Sequence, residues 1–294
     1  MKKFQDERKK IVNIKLGKFK HPTPIAIYEP VVNKEEADIF LFIQGHGGNI
    51  PFVDIMNHNF YDGKYLITYE KMAHGENKNV ASHMPNQYVK ELGYVIDEIK
   101  KMFPKKRIFL LGESWGAALG MIYYYKNPKK INGLFAWNMP RYVKDVGNSN
   151  FKYKTIAGFK MSWTILTSAQ TWDRIPSKGV PAQLSSNTFL VRMVNLATAG
   201  KPGNNKVTCA AWWTFPKSWK ILNKNVNNSD LNFLYIQSGE DRMQTMKYWN
   251  KFYNKNKNSP HLKYMEKGWH VLGMEEPQND ELYKLIDDYV SKIK

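Results

Sequence analysis

The chain alternates between short, unbroken apolar runs and longer stretches in which apolar residues recur every three or four positions. That mixture is expected of a β-sheet with helices packed on its faces. Residues 37–44 (ADIFLFIQ), 65–70 (YLITYE), 107–112 (RIFLLG) and 131–138 (INGLFAWN) read as strands, most of them buried, and two shorter opening strands are predicted at 11–16 and 25–31. Val89, Leu92, Val95, Ile96 and Ile99 fall at helical spacing and predict a helix over 87–102. Lys100, Lys101, Lys105 and Lys106 follow at its C-terminal end, where the helix dipole favours cations.

This alternation stops after residue 138 and resumes with a strand at 231–237, a helix near 245–253, a strand near 261–266 and a last helix from about 280 to 293. The intervening 91 residues, 139–229, are too many for a loop in a compact domain. Ile156, Phe159, Trp163 and Leu166, and again Phe189, Met193 and Leu196, recur at three and four, so at least two amphipathic helices are predicted there. The Asn- and Lys-rich stretch 223–228 reads as the hinge back into the sheet. The expected organisation is a core made of residues 1–138 and 230–294, interrupted by an insertion over 139–229.

Composition narrows the class. Of 294 residues, 43% are hydrophobic and 24% charged, and the mean hydropathy is −0.55, which excludes a disordered tail and a polytopic membrane protein. No apolar run approaches the roughly 18 residues of a spanning helix, and the opening MKKFQDER has no apolar segment behind its charges, so a cytoplasmic location is expected. The single cysteine, Cys209, rules out an intramolecular disulfide and reads as a small buried hydrophobe. The net charge of +18 would attract nucleic acid, anionic lipid or acidic substrates, and a Lys- and Asn-rich coding bias accounts for it equally well.

Residues 112–116, Gly112-Glu113-Ser114-Trp115-Gly116, match G-x-S-x-G, the turn that presents a nucleophilic serine. By composition alone the pattern arises in about one chain in ten of this length, so its context carries the weight. Here it stands between a predicted buried strand and a run of small helix-compatible residues, where a sharp strand-to-helix turn needs glycines beside the serine. Such a serine needs a histidine base and a carboxylate to orient it, in the order Ser, Asp or Glu, His. Downstream of Ser114 only His261 and His270 are available. His270 lies in the loop after a strand, where catalytic groups on parallel sheets gather, whereas His261 opens the strand and is expected at the surface. Asp241 and Glu240 both qualify as the acid by position. The oxyanion donors expected are the backbone N–H of Trp115 and that of His46 in Gln44-Gly45-His46-Gly47-Gly48, with Gly47 second. A ligand role for the His46 side chain is not expected, since no metal-binding pattern accompanies it.

The order of Gln44-Gly45-His46-Gly47-Gly48, Ala73-His74-Gly75, Gly112-Glu113-Ser114-Trp115-Gly116, Ser238-Gly239-Glu240-Asp241 and Gly268-Trp269-His270 resembles the α/β-hydrolase superfamily. Within it the chain is similar to the lysophospholipase, monoacylglycerol lipase and serine aminopeptidase-like branch, over residues 10–138 and 230–294. The resemblance implies an α/β fold with a mostly parallel central sheet flanked by helices, and a helical cap, or lid, after the sixth strand. It also implies Asp241 as the acid, and no cofactor or metal. Two positions depart from the pattern: Gln44-Gly45 stands for the usual His-Gly, and Ala73-His74-Gly75-Glu76-Asn77 for Gly-His-Gly-x-Ser.

The expected cap is rich in aromatic residues, with Phe151, Phe159, Trp163, Trp172, Phe189, Trp212, Trp213, Phe215 and Trp219. They suit an acyl chain, though packing against the core is expected of most. Over 139–229 the net charge is +11, with only Asp145 and Asp173 acidic, which favours an anionic headgroup or peripheral contact with an anionic membrane surface. Gly-x-Ser-Trp-Gly also resembles the proline iminopeptidases, but a substrate ammonium needs carboxylates. The expected function is therefore hydrolysis of a carboxylic ester, such as a lysophospholipid or monoacylglycerol, through an acyl-enzyme. Peptidase or acyltransferase activity on the same fold, or non-catalytic binding of anionic lipid, are the alternatives. Nucleic acid is not expected as a partner, as no recognised module is present.

Overall fold

A computed structural model of the protein describes residues 6–17, 19, 22–46, 48–54, 56, 59–77, 80, 84–141, 205–241, 246–274 and 276–293. Eight strands form one sheet: β1 (Lys9–Lys15), β2 (Pro22–Tyr28), β3 (Ile39–Ile43), β4 (Tyr65–Tyr69), β5 (Ile108–Glu113), β6 (Gly133–Trp137), β7 (Phe233–Ser238) and β8 (Leu262–Met265). Their order is β1-β2-β4-β3-β5-β6-β7-β8. The pairs β1/β2 and β2/β4 are antiparallel, and β4 to β8 pair in parallel throughout. This is the α/β-hydrolase architecture that the resemblance implies.

Helices α1 (Ile50–Val53), α2 (Pro85–Met102), α3 (Trp115–Lys126), α4 (Asn205–Asn225), α5 (Met246–Asn256) and α6 (Gln278–Val290) flank the sheet. The strands β3 to β7 read as largely apolar runs because both faces are covered. On β3, Ile39, Leu41 and Ile43 join one core cluster with side chains of α2, α3 and α4, while Phe40 and Phe42 join another with α1 and α6. Helix α3 is apolar nearly all round, and its first ten residues are buried. It packs between β5 and α4, which a one-sided amphipathic helix would not do.

Helix α4, whose residues 205–225 fall within the expected insertion, packs against the core as expected of most aromatic residues there: Trp219 is buried, its Nε1 donates to Met139 O (3.1 Å), and its ring meets Tyr235 and Phe252. Two other expectations meet a different structure. Residues 223–225 accordingly end a helix and do not act as a hinge there, with the Asn225 side chain donating to Ile221 O. His261, expected at the surface, is buried. Its ring stacks on Phe233, with Nδ1 2.8 Å from Phe233 O and Nε2 2.9 Å from Asn228 O. The two helices predicted around 156–166 and 189–196 lie outside the described residues, as do Trp163, Trp172, Phe151, Phe159 and Phe189.

Candidate active site

The carboxyl ends of β3, β5, β6, β7 and β8 bring the expected groups to one edge of the sheet. Ser114 links β5 to α3 with φ 54° and ψ −115°, a left-handed conformation for a residue bearing a side chain. Its N–H donates to Trp137 O on the neighbouring strand (3.0 Å). The flanking glycines are a steric requirement: a Cβ on Gly112 would lie 2.7 Å from Ala117 Cα, and one on Gly116 1.8 Å from Ile43 O. Close approach of α3 to β3 and β5 is what the G-x-S-x-G spacing permits.

Two loops supply the remaining pair. Asp241 follows β7 and His270 follows β8; both are buried, and His270 Nδ1 lies 3.1 Å from each carboxylate oxygen of Asp241. With Nδ1–H given to the carboxylate, Nε2 is the nitrogen left to take a proton. Among the described residues no hydrogen bond joins Ser114 to His270. Burial alone would push the His270 imidazole down, but the adjoining Asp241 carboxylate and that of Glu113 hold it above the ordinary histidine value. Glu240 takes a different part: it is exposed, and its carboxylate accepts the Gly268 N–H (3.2 Å).

Glu113, immediately before the serine, is a buried carboxylate that burial raises to about 7, partly countered by His270, by a hydrogen bond from Trp137 Nε1 (3.4 Å) and by Lys71.

The expected oxyanion donors sit on one packed unit. Trp115 is the first residue of α3, so its N–H has no partner within the helix and lies at the positive end of the helix dipole. A Cβ on Gly45 would be 3.3 Å from Ser114 Cβ, which places the start of the 44–48 loop against Ser114. The His46 and Trp115 rings lie 5.9 Å apart, both near His74, which stacks on Trp115 at 5.8 Å, and Tyr88 meets Trp115 edge-on. Burial brings His46 down to about 4, helped by Lys71, and lowers His74 as well, so both rings are neutral near pH 7. Gly47, the second-ranked donor, lies outside the described residues.

One residue that the sequence did not single out organises both loops. Asn138, the residue after β6, is fully buried with φ 49°. Its Oδ1 accepts from Ser238 N–H (3.0 Å), Ser238 Oγ (2.8 Å) and Gln237 Nε2 (3.2 Å), and its Nδ2 donates to Trp269 O (2.8 Å) and His270 O (3.0 Å). An Asn directly after a predicted strand is the only advance signal, and it reads equally as a turn. Among the described residues no group of three His, Cys, Asp or Glu could hold a metal ion, and no helix is long and apolar enough to cross a membrane.

Residues 62–277 match the family described as serine aminopeptidase, S33. A search of curated proteins found no match. Among solved structures, a highly thermostable carboxyl esterase from Bacillus coagulans is 14% identical, with a TM-score of 0.67 over 97% of this chain and 98% of its own. A thermophilic esterase from Thermogutta terrifontis is 12% identical, with a TM-score of 0.67 over 97% and 99%. A haloalkane dehalogenase from Bradyrhizobium elkani is 12% identical, with a TM-score of 0.67 over 96% and 99%. At such identities the likeness is one of fold.

Proposed function

Since the chain belongs to the serine aminopeptidase S33 family of α/β-hydrolases, we propose that it cleaves a carboxylic ester through a Ser-His-Asp triad and an acyl-enzyme. Ser114 attacks the carbonyl carbon while His270 Nε2 takes the hydroxyl proton. The N–H groups of Trp115 and His46 receive the oxyanion, and Asp241 holds the imidazole in its productive tautomer. His270 then returns the proton to the leaving alcohol, and water repeats the sequence to release the acid. The observation that carries this reading is the buried His270–Asp241 pair at the sheet edge that also presents the strained Ser114.

The substrate we favour is a single-chain lipid ester, a lysophospholipid or monoacylglycerol. The +11 charge of residues 139–229 suits an anionic headgroup or a negatively charged bilayer surface, which is also the partner we propose. The family description favours a second reading, aminopeptidase activity. Two acidic residues in that span leave little to bind a substrate ammonium, which ranks it lower.

Hydrolysis of p-nitrophenyl esters of two to sixteen carbons, with Ser114→Ala as the blank and proline p-nitroanilide alongside, separates these readings. Ser114-dependent turnover rising with chain length supports the lipid esterase, and a short-chain optimum points to a small-ester hydrolase or acyltransferase. Turnover of the anilide alone supports the peptidase. Ester turnover surviving in Ser114→Ala overturns the triad.

A further inference from the structure

Lys71 is a lysine with no exposed surface, two residues past the end of β4 and behind the site. Removing an ammonium from water is costly, so a lysine placed here needs a compensating role that methionine of similar size would not require. Burial brings its amine down to about 7, against the opposing pull of Glu70, Glu91 and Glu113. Its hydrogen bond goes to an amide: Nζ donates to Gln44 Oε1 at 2.7 Å. Gln44 Nε2 in turn donates to Thr68 Oγ1 (2.8 Å), and the Thr68 hydroxyl to Phe42 O (3.0 Å). The Gln44 amide is therefore held at both ends, from the strand beside its own.

Gln44 is the root of the 44–48 loop, and its stem forms the floor of that loop. A Cβ on Gly48 would lie 2.7 Å from Gln44 Cβ, and Gly48 N–H donates to Gly45 O (3.3 Å). On its other side the loop abuts Ser114 through Gly45. Rotation of the Gln44 side chain would therefore shift the backbone that carries the His46 N–H relative to the nucleophile. An oxyanion donor is effective only when held within a few tenths of an ångström of the developing charge.

We propose that Lys71 is a positioning residue of the oxyanion hole, acting through Gln44 to hold the 44–48 loop against Ser114. The proposal rests on the serine-hydrolase reading of the site. It also accounts for glutamine where the resemblance has histidine, since the amide oxygen serves Lys71 while its NH2 serves Thr68.

The test is steady-state kinetics on the best p-nitrophenyl ester for Lys71→Met, Gln44→Leu, their double variant and Ser114→Ala, with thermal melts of each. Lys71→Met is expected to lower kcat about 10- to 100-fold with KM changed less than about threefold, below the full loss of an oxyanion donor. Its melting temperature should change little, because relief of a buried charge opposes the loss of the donor to Gln44 Oε1. The double variant should be no worse than the poorer single one, as for two residues acting in series. Lys71→Gln, which keeps an N–H donor, should recover part of the rate, and it carries the test if Lys71→Met does not fold. Wild-type kcat in both Lys71 variants, or fully multiplicative losses in the double variant, overturns the proposal. Activity surviving in Ser114→Ala would instead overturn the serine-hydrolase reading beneath it.

Discussion

His270 Nδ1 stands 3.1 Å from both carboxylate oxygens of Asp241, although the two residues come from loops after different strands and lie 29 positions apart. Both side chains are almost fully buried, and the contact turns Nδ1 of the imidazole toward the carboxylate. Glu240, one residue earlier, points to the Gly268 amide instead. The adjacent carboxylates thus have separate partners, one the His270 ring and one the Gly268 backbone.

That division predicts unequal losses. Asp241→Asn should cut kcat about 10³- to 10⁴-fold, because the amide can place its NH2 on Nδ1 and favour the wrong tautomer. Glu240→Ala removes one partly exposed hydrogen bond to Gly268, worth about 1 kcal/mol of stability, and should leave kcat within about threefold of wild type. Ester turnover and thermal melts of the two variants measure both effects. A Glu240→Ala loss as large as that of Asp241→Asn would reverse the assignment.

The strands β3 to β7 were legible because each is buried along its whole length and reads as an apolar run, and Ser114 because close approach of α3 to Ile43 O leaves no room for a Cβ at Gly116. What stayed hidden depends on partners remote in the chain. His261 opens a predicted strand, and contacts with Asn228 O, the Phe233 ring and carbonyl, and the Tyr289 hydroxyl explain its burial. Trp219 belongs to an aromatic-rich stretch expected to pack largely on the core, and periodicity does not name its partners, which are Tyr235, Trp249 and Phe252. Lys71 and Asn138 carry side chains that ordinarily signal surface and turn, so only the contacts reveal them.

The pH dependence follows from the charges around the base. His270 must be neutral to accept a proton, so kcat/KM should fall as pH drops through its titration, which Asp241 and Glu113 hold above the ordinary histidine value. Glu113, raised to about 7 by burial, takes up its own proton over the same interval. Its negative charge favours protonated His270, so protonating either group disfavours protonating the other, and the wild-type acid limb should be broader than a single titration. Glu113→Gln keeps an acceptor for Trp137 Nε1 and removes the charge. The limb should then move to lower pH and sharpen to one proton, measured as kcat/KM from pH 5 to 9. An acid limb superimposable on wild type would exclude Glu113 from the titration of the base.

Asn138 offers the sharpest separation of backbone from side-chain effects. Its φ of 49° is one that asparagine and glycine adopt more readily than alanine, while its amide makes five buried hydrogen bonds joining Ser238 and Gln237 to the backbone of Trp269 and His270. Asn138→Ala loses both the favourable backbone and the bonds; Asn138→Gly loses only the bonds. Each buried group left without a partner costs about 1–3 kcal/mol, unless water enters to satisfy it. Both variants should therefore melt well below wild type, with glycine the milder by about 1 kcal/mol. Because two of the five bonds hold the loop that carries His270, kcat should fall in both variants by a similar factor, about 10-fold or more, while their stabilities differ. If Asn138→Gly instead restores wild-type kcat and stability, the left-handed backbone alone accounts for the residue, and the base is held without the amide.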